Sequence, residues 1–319
     1  MTSNEKLAII GAGIMGHSIA LTAAWSGLHI KVWGTTENDI DHARAGLETK
    51  LNVLLSNEVF PESEKQRIMN SISFTDSLQE CVADATFVIE AIPEILELKQ
   101  DFFKQLDEIC PDSTIIASNT SGLSATKIAA LTSNPSRTVV THFWNPAHLM
   151  PLVEVVRGDE TSQETLDRSM ALLKEMNKKP ILVKKDILGS VGNRLQYAIF
   201  REAQFILQEG IASMEDIDDA IRYSLGRRFG ITGPFMTMDM GGLNTNAAIT
   251  SYLFEDLSDR KEIFPKMKEL VDNGHYGPKT GKGFYEWSPE MTKQVEYERE
   301  QELIRWLKRD INELDTVEK

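Results

Sequence analysis

The chain has 319 residues, 41% of them hydrophobic and 26% charged, with a formal net charge of −14. That length fits two domains of roughly 100–200 residues each. The acidic balance excludes a general nucleic-acid binder, which needs fields of Lys and Arg, and no apolar run approaches the ~18 residues that cross a bilayer.

Cys81 and Cys110 make no disulfide framework and read as buried small hydrophobes in a reducing compartment. The polar start, Met1–Lys6, runs straight into a strand with no targeting signal, so the expected location is cytoplasmic. Leu7–Ile10, His29–Trp33, Thr86–Glu90, Thr114–Ala117 and Thr138–Phe143 read as buried strands. Helical spacing separates them at Ile14–Ser26, Ile40–Ser56 and Glu94–Ile109. This alternation predicts a Rossmann-type, doubly wound α/β fold with a mostly parallel sheet. Leu152–Val156 adds a strand, Ser162–Met176 a helix and Pro180–Val183 a further strand.

Beyond Asp186 the pattern is helical with almost no strand, which predicts an all-α C-terminal domain. Ile187, Val191, Leu195, Ile199 and Ala203 recur at helical spacing, so one long helix is expected from there to Gly210. Ser213 is a natural N-cap for the next. The last 30 or so residues are charge-rich, with an amphipathic helix around Glu298–Lys308. The expected division is a dinucleotide-binding domain over 1–185, a helical substrate and dimerisation domain over 186–290, and a charged tail over 291–319.

Gly11-Ala12-Gly13-Ile14-Met15-Gly16 follows the first strand and opens the first helix. Gly11 permits the tight turn, Gly13 lets the backbone approach a pyrophosphate, and Gly16 lets helix pack on strand. The amides of Ile14 and Met15, at the helix start, face the anion. The second strand should end in an acid for the adenosine ribose, but Gly34 stands there, followed by Thr35 and Thr36. No arginine takes a 2′-phosphate, and Glu37 or backbone and hydroxyl groups are the alternatives. NAD is favoured and NADP stays open.

Several further motifs occur in order: Ile89-Glu90-Ala91-Ile92-Pro93-Glu94, Ser118-Asn119-Thr120-Ser121, His142-Phe143-Trp144-Asn145-Pro146, Pro151 to Val156, Gly192-Asn193-Arg194-Leu195, Gly233-Pro234, and Lys279 to Tyr285. Together they make the chain resemble the 3-hydroxyacyl-CoA dehydrogenases from residue 5 to about 286. The resemblance implies His142 as general base, Glu154 as the acid that orients it, and Ser121 and Asn193 as ligands of the reacting oxygen. It further implies Glu94, Lys99 and Asn119 on the cofactor side, Asn145 at the substrate, and a homodimer through the helical domain. Gly122 departs from the serine common in the family.

The chemistry agrees with that assignment. Removing a hydride from a carbinol carbon requires a base for the hydroxyl proton, and histidine titrates in the right range. A carboxylate on its other nitrogen fixes the tautomer. Glu154 stands in an apolar strand, where a carboxylate is costly without a partner; a structural salt bridge is the plain alternative. The other histidines read as ordinary, and no metal-ligating set is evident.

The second half is similar to the branch holding L-gulonate 3-dehydrogenase (lambda-crystallin) and carnitine 3-dehydrogenase, on Asn193 to Ala198 and Leu225-Gly226-Arg227-Arg228-Phe229. Arg228 offers a planar fork for the carboxylate of a small free acid; a surface or dimer salt bridge is the alternative. The substrate is thus an acyl-CoA or a small 3-hydroxy acid. Use of the scaffold as a non-catalytic crystallin-like protein is the remaining reading.

Overall fold

The computed structural model describes the backbone of residues 5–317. Eight strands form one sheet: β1 (Leu7–Ile10), β2 (Ile30–Trp33), β3 (Ile72–Thr75), β4 (Phe87–Glu90), β5 (Ile115–Ser118), β6 (Thr138–Phe143), β7 (Leu152–Val156) and β8 (Lys179–Val183). Their spatial order is β3-β2-β1-β4-β5-β6-β7-β8. The order reverses between β1 and β4, where an open α/β sheet leaves a ligand crevice at its carboxyl edge. The helices are α1 (Ile14–Trp25), α2 (Glu37–Ser56), α3 (Glu62–Asn70), α4 (Leu78–Val82), α5 (Leu96–Ile109), α6 (Ala125–Ile128) and α7 (Gln163–Glu175).

The reading of the first strand as apolar throughout has a direct packing reason. Leu7 and Ile9 join one core cluster, with α1, α2, α3 and α7, while Ala8 and Ile10 join another, with α4 and α5. Both faces of the strand are covered, so alternation disappears. Each fully buried isoleucine here contributes roughly 1.5–3 kcal/mol. The Rossmann-type arrangement is present as expected, with one strand that the sequence reading lacked, β3 at the edge beside β2, and with β7 running antiparallel to β6. The register places His142 directly opposite Glu154.

After β8 come α8 (Gly192–Gln208), α9 (Met214–Ala220), a π-helical turn at Ile221–Leu225, α10 (Gly226–Phe229), α11 (Pro234–Gly241), α12 (Leu243–Asp256), α13 (Pro265–Asp272) and α14 (Pro289–Val317). Ser213 caps α9 by accepting from the Asp216 amide. The long helix expected from Ile187 starts later, at Gly192. Gly189 and Ser190 both have positive φ, +76° and +49°, and turn the chain out of any helix there. The terminal helix is longer than its apolar spacing suggested. Pro289 starts it at a position where proline is tolerated, and no breaker follows.

The chain divides into two compact units. One runs to Asn193 and takes back the chain from Arg299 onward; the other is Arg194–Glu298. No helix among the described residues is long and apolar enough to cross a membrane.

Candidate active site

The glycine-rich turn leaves β1 and opens α1 with Gly13 as N-cap. Gly11 has φ +108°, and a Cβ there would lie 2.7 Å from the Ala91 carbonyl oxygen. A Cβ on Gly16 would lie 1.7 Å from the Gly11 carbonyl oxygen, while one on Gly13 would meet nothing within 4 Å. Two glycines therefore serve packing, and the third faces open space, as close backbone approach to a pyrophosphate requires. The first intrahelical bond of α1 runs from the His17 amide to the Gly13 carbonyl, at 3.1 Å. The amides of Ile14 and Met15, which precede it, are left for an anion.

Gly34 has a packing reason too: a Cβ would come within 2.8 Å of the Ile40 side chain. The hydroxyls of Thr35 and Thr36 both donate to Asp39. These bonds, Thr35 first, hold the Asp39 carboxyl below its ordinary range. Glu37 lies 3.7 Å from Arg44.

At the end of β6, His142 Nδ1 is 2.8 Å from Glu154 Oε2. Glu154 is fully buried and His142 nearly so. Because β7 reverses direction, a residue twelve positions later stands across from the histidine, and both side chains share one face. The other carboxylate oxygen accepts from the amides of Val191 and Gly192, at 2.8 and 2.9 Å, and Trp144 Nε1 donates to Oε2 at 3.3 Å. Burial alone would push the Glu154 carboxyl up; the His142 hydrogen bond and the two amides outweigh it and hold the carboxyl below the usual range. Among the described residues, His142 Nε2 has no hydrogen-bond partner. A neutral imidazole donating Nδ1–H to a carboxylate leaves that nitrogen ready to accept a proton.

Asn193, Ser121, Glu94 and Lys99 connect to this pair without a break; among the described residues, Asn145 and Arg228 do not. Val191 and Gly192 lead directly into Asn193, whose Nδ2 donates to the Ser121 carbonyl at 2.7 Å. The Ser121 amide donates to Glu94 Oε1 at 2.9 Å, as does the Thr120 hydroxyl at 2.5 Å. Glu94 Oε2 lies 3.6 Å from Lys99 Nζ, and that ammonium donates to Glu90 at 2.6 Å and to the Ile92 carbonyl at 3.2 Å. Asn119 ties the ends of two strands together, its Oδ1 accepting from the Phe143 amide at 2.8 Å. Asn145 is exposed in the turn after β6. Arg228 lies in the second unit, in α10. Arg222 and Arg227 stack on Tyr223, and among the described residues the Arg228 guanidinium has no ion-pair partner.

Four participants were not singled out from the sequence as functional: Glu90, Trp144, Val191 and Gly192. Glu90 is fully buried and accepts from Lys99, the Ile92 amide and the Ser118 hydroxyl. An acid ending the apolar run Phe87–Ile89 was its signal, by the same reasoning that singled out Glu154. Trp144 and the Val191–Gly192 amides carried no such signal, because indole and backbone donors are not distinctive in a sequence.

The sequence profile of the 3-hydroxyacyl-CoA dehydrogenase NAD binding domain matches residues 6–187, and that of the 3-hydroxyacyl-CoA dehydrogenase C-terminal domain matches residues 189–287. The chain is 34% identical over 300 residues to the 5-formyl-3-hydroxy-2-methylpyridine 4-carboxylate 5-dehydrogenase of Mesorhizobium japonicum, covering 94% of this chain and 96% of that one. A crystal structure of an enzyme of that name, described as an NAD+-dependent dismutase, superposes with a TM-score of 0.89 at 33% identity, covering 96% of this chain and 98% of its own. A probable 3-hydroxybutyryl-CoA dehydrogenase of Bacillus subtilis is 38% identical over 288 residues, which are 89% of this chain and 97% of that one. With both of its regions matched in order, and the glycine-rich turn at the head of an NAD-binding domain, the chain belongs to the 3-hydroxyacyl-CoA dehydrogenase family.

Proposed function

We propose that the chain is an NAD-linked dehydrogenase that takes a hydride from the hydroxyl-bearing carbon of a small carboxylate substrate, with His142 as base. The observation that carries this is the buried 2.8 Å pairing of His142 Nδ1 with Glu154, which leaves Nε2 unengaged. In the oxidising direction Nε2 accepts the hydroxyl proton while the carbinol hydride leaves for the cofactor. Glu154 stabilises the resulting imidazolium. Ser121 and Asn193 hold the reacting oxygen, and Asn145 lines the substrate. NAD supplies the hydride acceptor, with its pyrophosphate on Gly13 and the amides of Ile14 and Met15. Glu94 faces the cofactor side; Lys99, bound to Glu90 and Ile92, acts by holding Glu94. An aldehyde hydrate presents the same carbinol to the same base, so the chemistry extends to oxidation of an aldehyde.

Likeness to the pyridine carboxylate enzyme over nearly the whole of both chains favours a free acid, and the unpaired Arg228 guanidinium is the group to bind its carboxylate. The identity to a 3-hydroxybutyryl-CoA dehydrogenase favours a second reading, a 3-hydroxyacyl-CoA substrate. Initial rates with L-gulonate, carnitine, 3-hydroxybutyrate, a pyridine aldehyde carboxylate and 3-hydroxybutyryl-CoA separate the two. Arg228→Met raises KM for the preferred free acid by about tenfold or more, the ~1.4 kcal/mol or more of a charge-assisted hydrogen bond, and leaves NAD binding alone. An unchanged KM removes Arg228 from the site.

The second unit supports a homodimer. Among its described residues only Phe264 and Leu270 are buried, while Phe235 is 81% and Met240 77% exposed. A helical unit that buries so little of its apolar surface needs another surface to cover it, and a second copy supplies the same composition. Cytoplasmic location accords with two unpaired, buried cysteines.

A further inference from the structure

Residues 144–151 connect β6 to β7 and so stand between His142 and Glu154 in the chain. The connection enters the site with its first two residues. Trp144 sets its ring 5.5 Å from that of His142 and donates to Glu154 at 3.3 Å. Asn145 follows, exposed. Behind them the connection turns inward, and Ala147, His148 and Leu149 are all buried. Buried backbone groups need partners. Here they come from side chains on two other elements, and both side chains lie outside the proton transfer.

The first element is α1. Ser18 is fully buried, one helical turn beyond Ile14. Its Oγ accepts from the His148 amide at 3.3 Å and lies 2.9 Å from His148 Nδ1. A hydroxyl that accepts from an amide still has its own hydrogen to give. Ser18 therefore donates to Nδ1, and His148 is neutral with its proton on Nε2. Burial, ahead of the charges of Lys50, Lys178 and His17, pushes this imidazole down to about 3, which agrees. The second element is β8. Lys178, immediately before it, is buried, and its Nζ donates to the carbonyls of Ala147 and Met150 at 2.5 and 3.0 Å. Burial pushes this amine down to about 7, and the neutral form keeps two N–H groups, enough for both bonds. The Lys179 amide adds a bond to the Pro151 carbonyl at 2.8 Å. Ser18 and His148 are 130 positions apart, so their pairing is no local turn. It ties the helix whose first amides are left for an anion to the segment that packs Trp144 on His142.

We infer that Ser18, His148 and Lys178 are positioning residues: they fix the β6–β7 connection to the cofactor helix, and so set how His142 and the substrate meet the nicotinamide. The effect on hydride transfer rests on the dehydrogenase reading above; the anchoring of the segment does not. A misplacement of ~1 Å at the reacting atoms costs about a hundredfold in rate. Ser18→Ala removes the hydroxyl, and His148→Leu removes its acceptor. His148→Asn keeps an acceptor, with Oδ1 near the place of Nδ1. Hydrogen exchange of residues 144–151 reads the anchoring without turnover. Exchange is faster in Ser18→Ala and His148→Leu than in the wild-type chain, and His148→Asn restores it. With the best substrate of the panel, kcat per NADH-binding site falls by about tenfold or more in the first two variants, and His148→Asn recovers most of it. KM for NAD stays the same. The primary deuterium isotope effect at the carbinol carbon is no smaller than in the wild-type chain, because hydride transfer is the step slowed. Should His148→Leu fail to fold, Ser18→Ala, which lacks a single oxygen atom, decides. A merely structural role lowers the melting temperature and the number of NADH-binding sites but leaves kcat per site alone; that result overturns the inference. Unchanged exchange in Ser18→Ala overturns it too, as does an isotope effect that falls. A chain that shows the exchange differences but turns over nothing in the substrate panel loses the dehydrogenase reading alone.

Discussion

Gly13→Val is expected to bind NAD about a hundredfold more weakly, a loss of ~2.8 kcal/mol, while unfolding at the wild-type temperature. Gly16→Val is expected not to fold. The two differ by three positions in one turn, and the difference is geometric. A Cβ at position 13 meets no protein atom within 4 Å and so intrudes only on what binds there. A Cβ at position 16 lies 1.7 Å from the Gly11 carbonyl oxygen, on backbone that cannot move aside without separating α1 from β1. Overpacking of ordinary cores costs about 1–3 kcal/mol, and this overlap is with main chain rather than with an adjustable side chain. Fluorescence titration with NADH and a thermal melt of each variant read the two outcomes. Equal NAD affinity in Gly13→Val and wild type would remove the pyrophosphate from this turn.

Glu154→Gln is expected to lower kcat by about four orders of magnitude, as loss of the corresponding carboxylate does in a Ser-His-Asp site, with KM for NAD unchanged. A glutamine keeps the shape but has one acceptor atom and one amide donor. The Val191 and Gly192 amides, at 2.8 and 2.9 Å, require the acceptor. The donor then faces His142 Nδ1, which must accept, and the ring proton moves to Nε2. The histidine is held in place in the wrong tautomer and cannot take a proton from substrate. Circular dichroism and NAD titration establish that the fold survives; turnover near the wild-type rate would show that Glu154 does no more than hold the strand.

The site was legible where chemistry is written in residue types. The glycine turn, His142 and a carboxylate in the apolar run of β7 stand out because each is odd for its setting. What joins them was not legible. Apolar patterning marks Leu152–Val156 as a strand but carries no direction, and only the antiparallel register brings Glu154 opposite His142. The apolar spacing through Ile187 and Val191 continues that of α8, so the helix start was placed too early. The turn at Gly189 and Ser190 frees the Val191 and Gly192 amides to reach Glu154. Periodicity failed at the point where helix amides serve a carboxylate instead of a helix. In α14 the opposite occurred: Leu303, Ile304 and Leu307 follow a clear stripe, but a stripe does not name the surface it covers.

Formation of the reduced nicotinamide absorbance by the His142→Gln variant, at saturating NAD and with whichever substrate the wild-type chain turns over best, tests the central claim most directly. With no imidazole to receive the hydroxyl proton, the rate falls by about a thousandfold, within the range of general-base contributions, while NAD still binds. A variant that reduces NAD as fast as the wild-type chain would contradict the account.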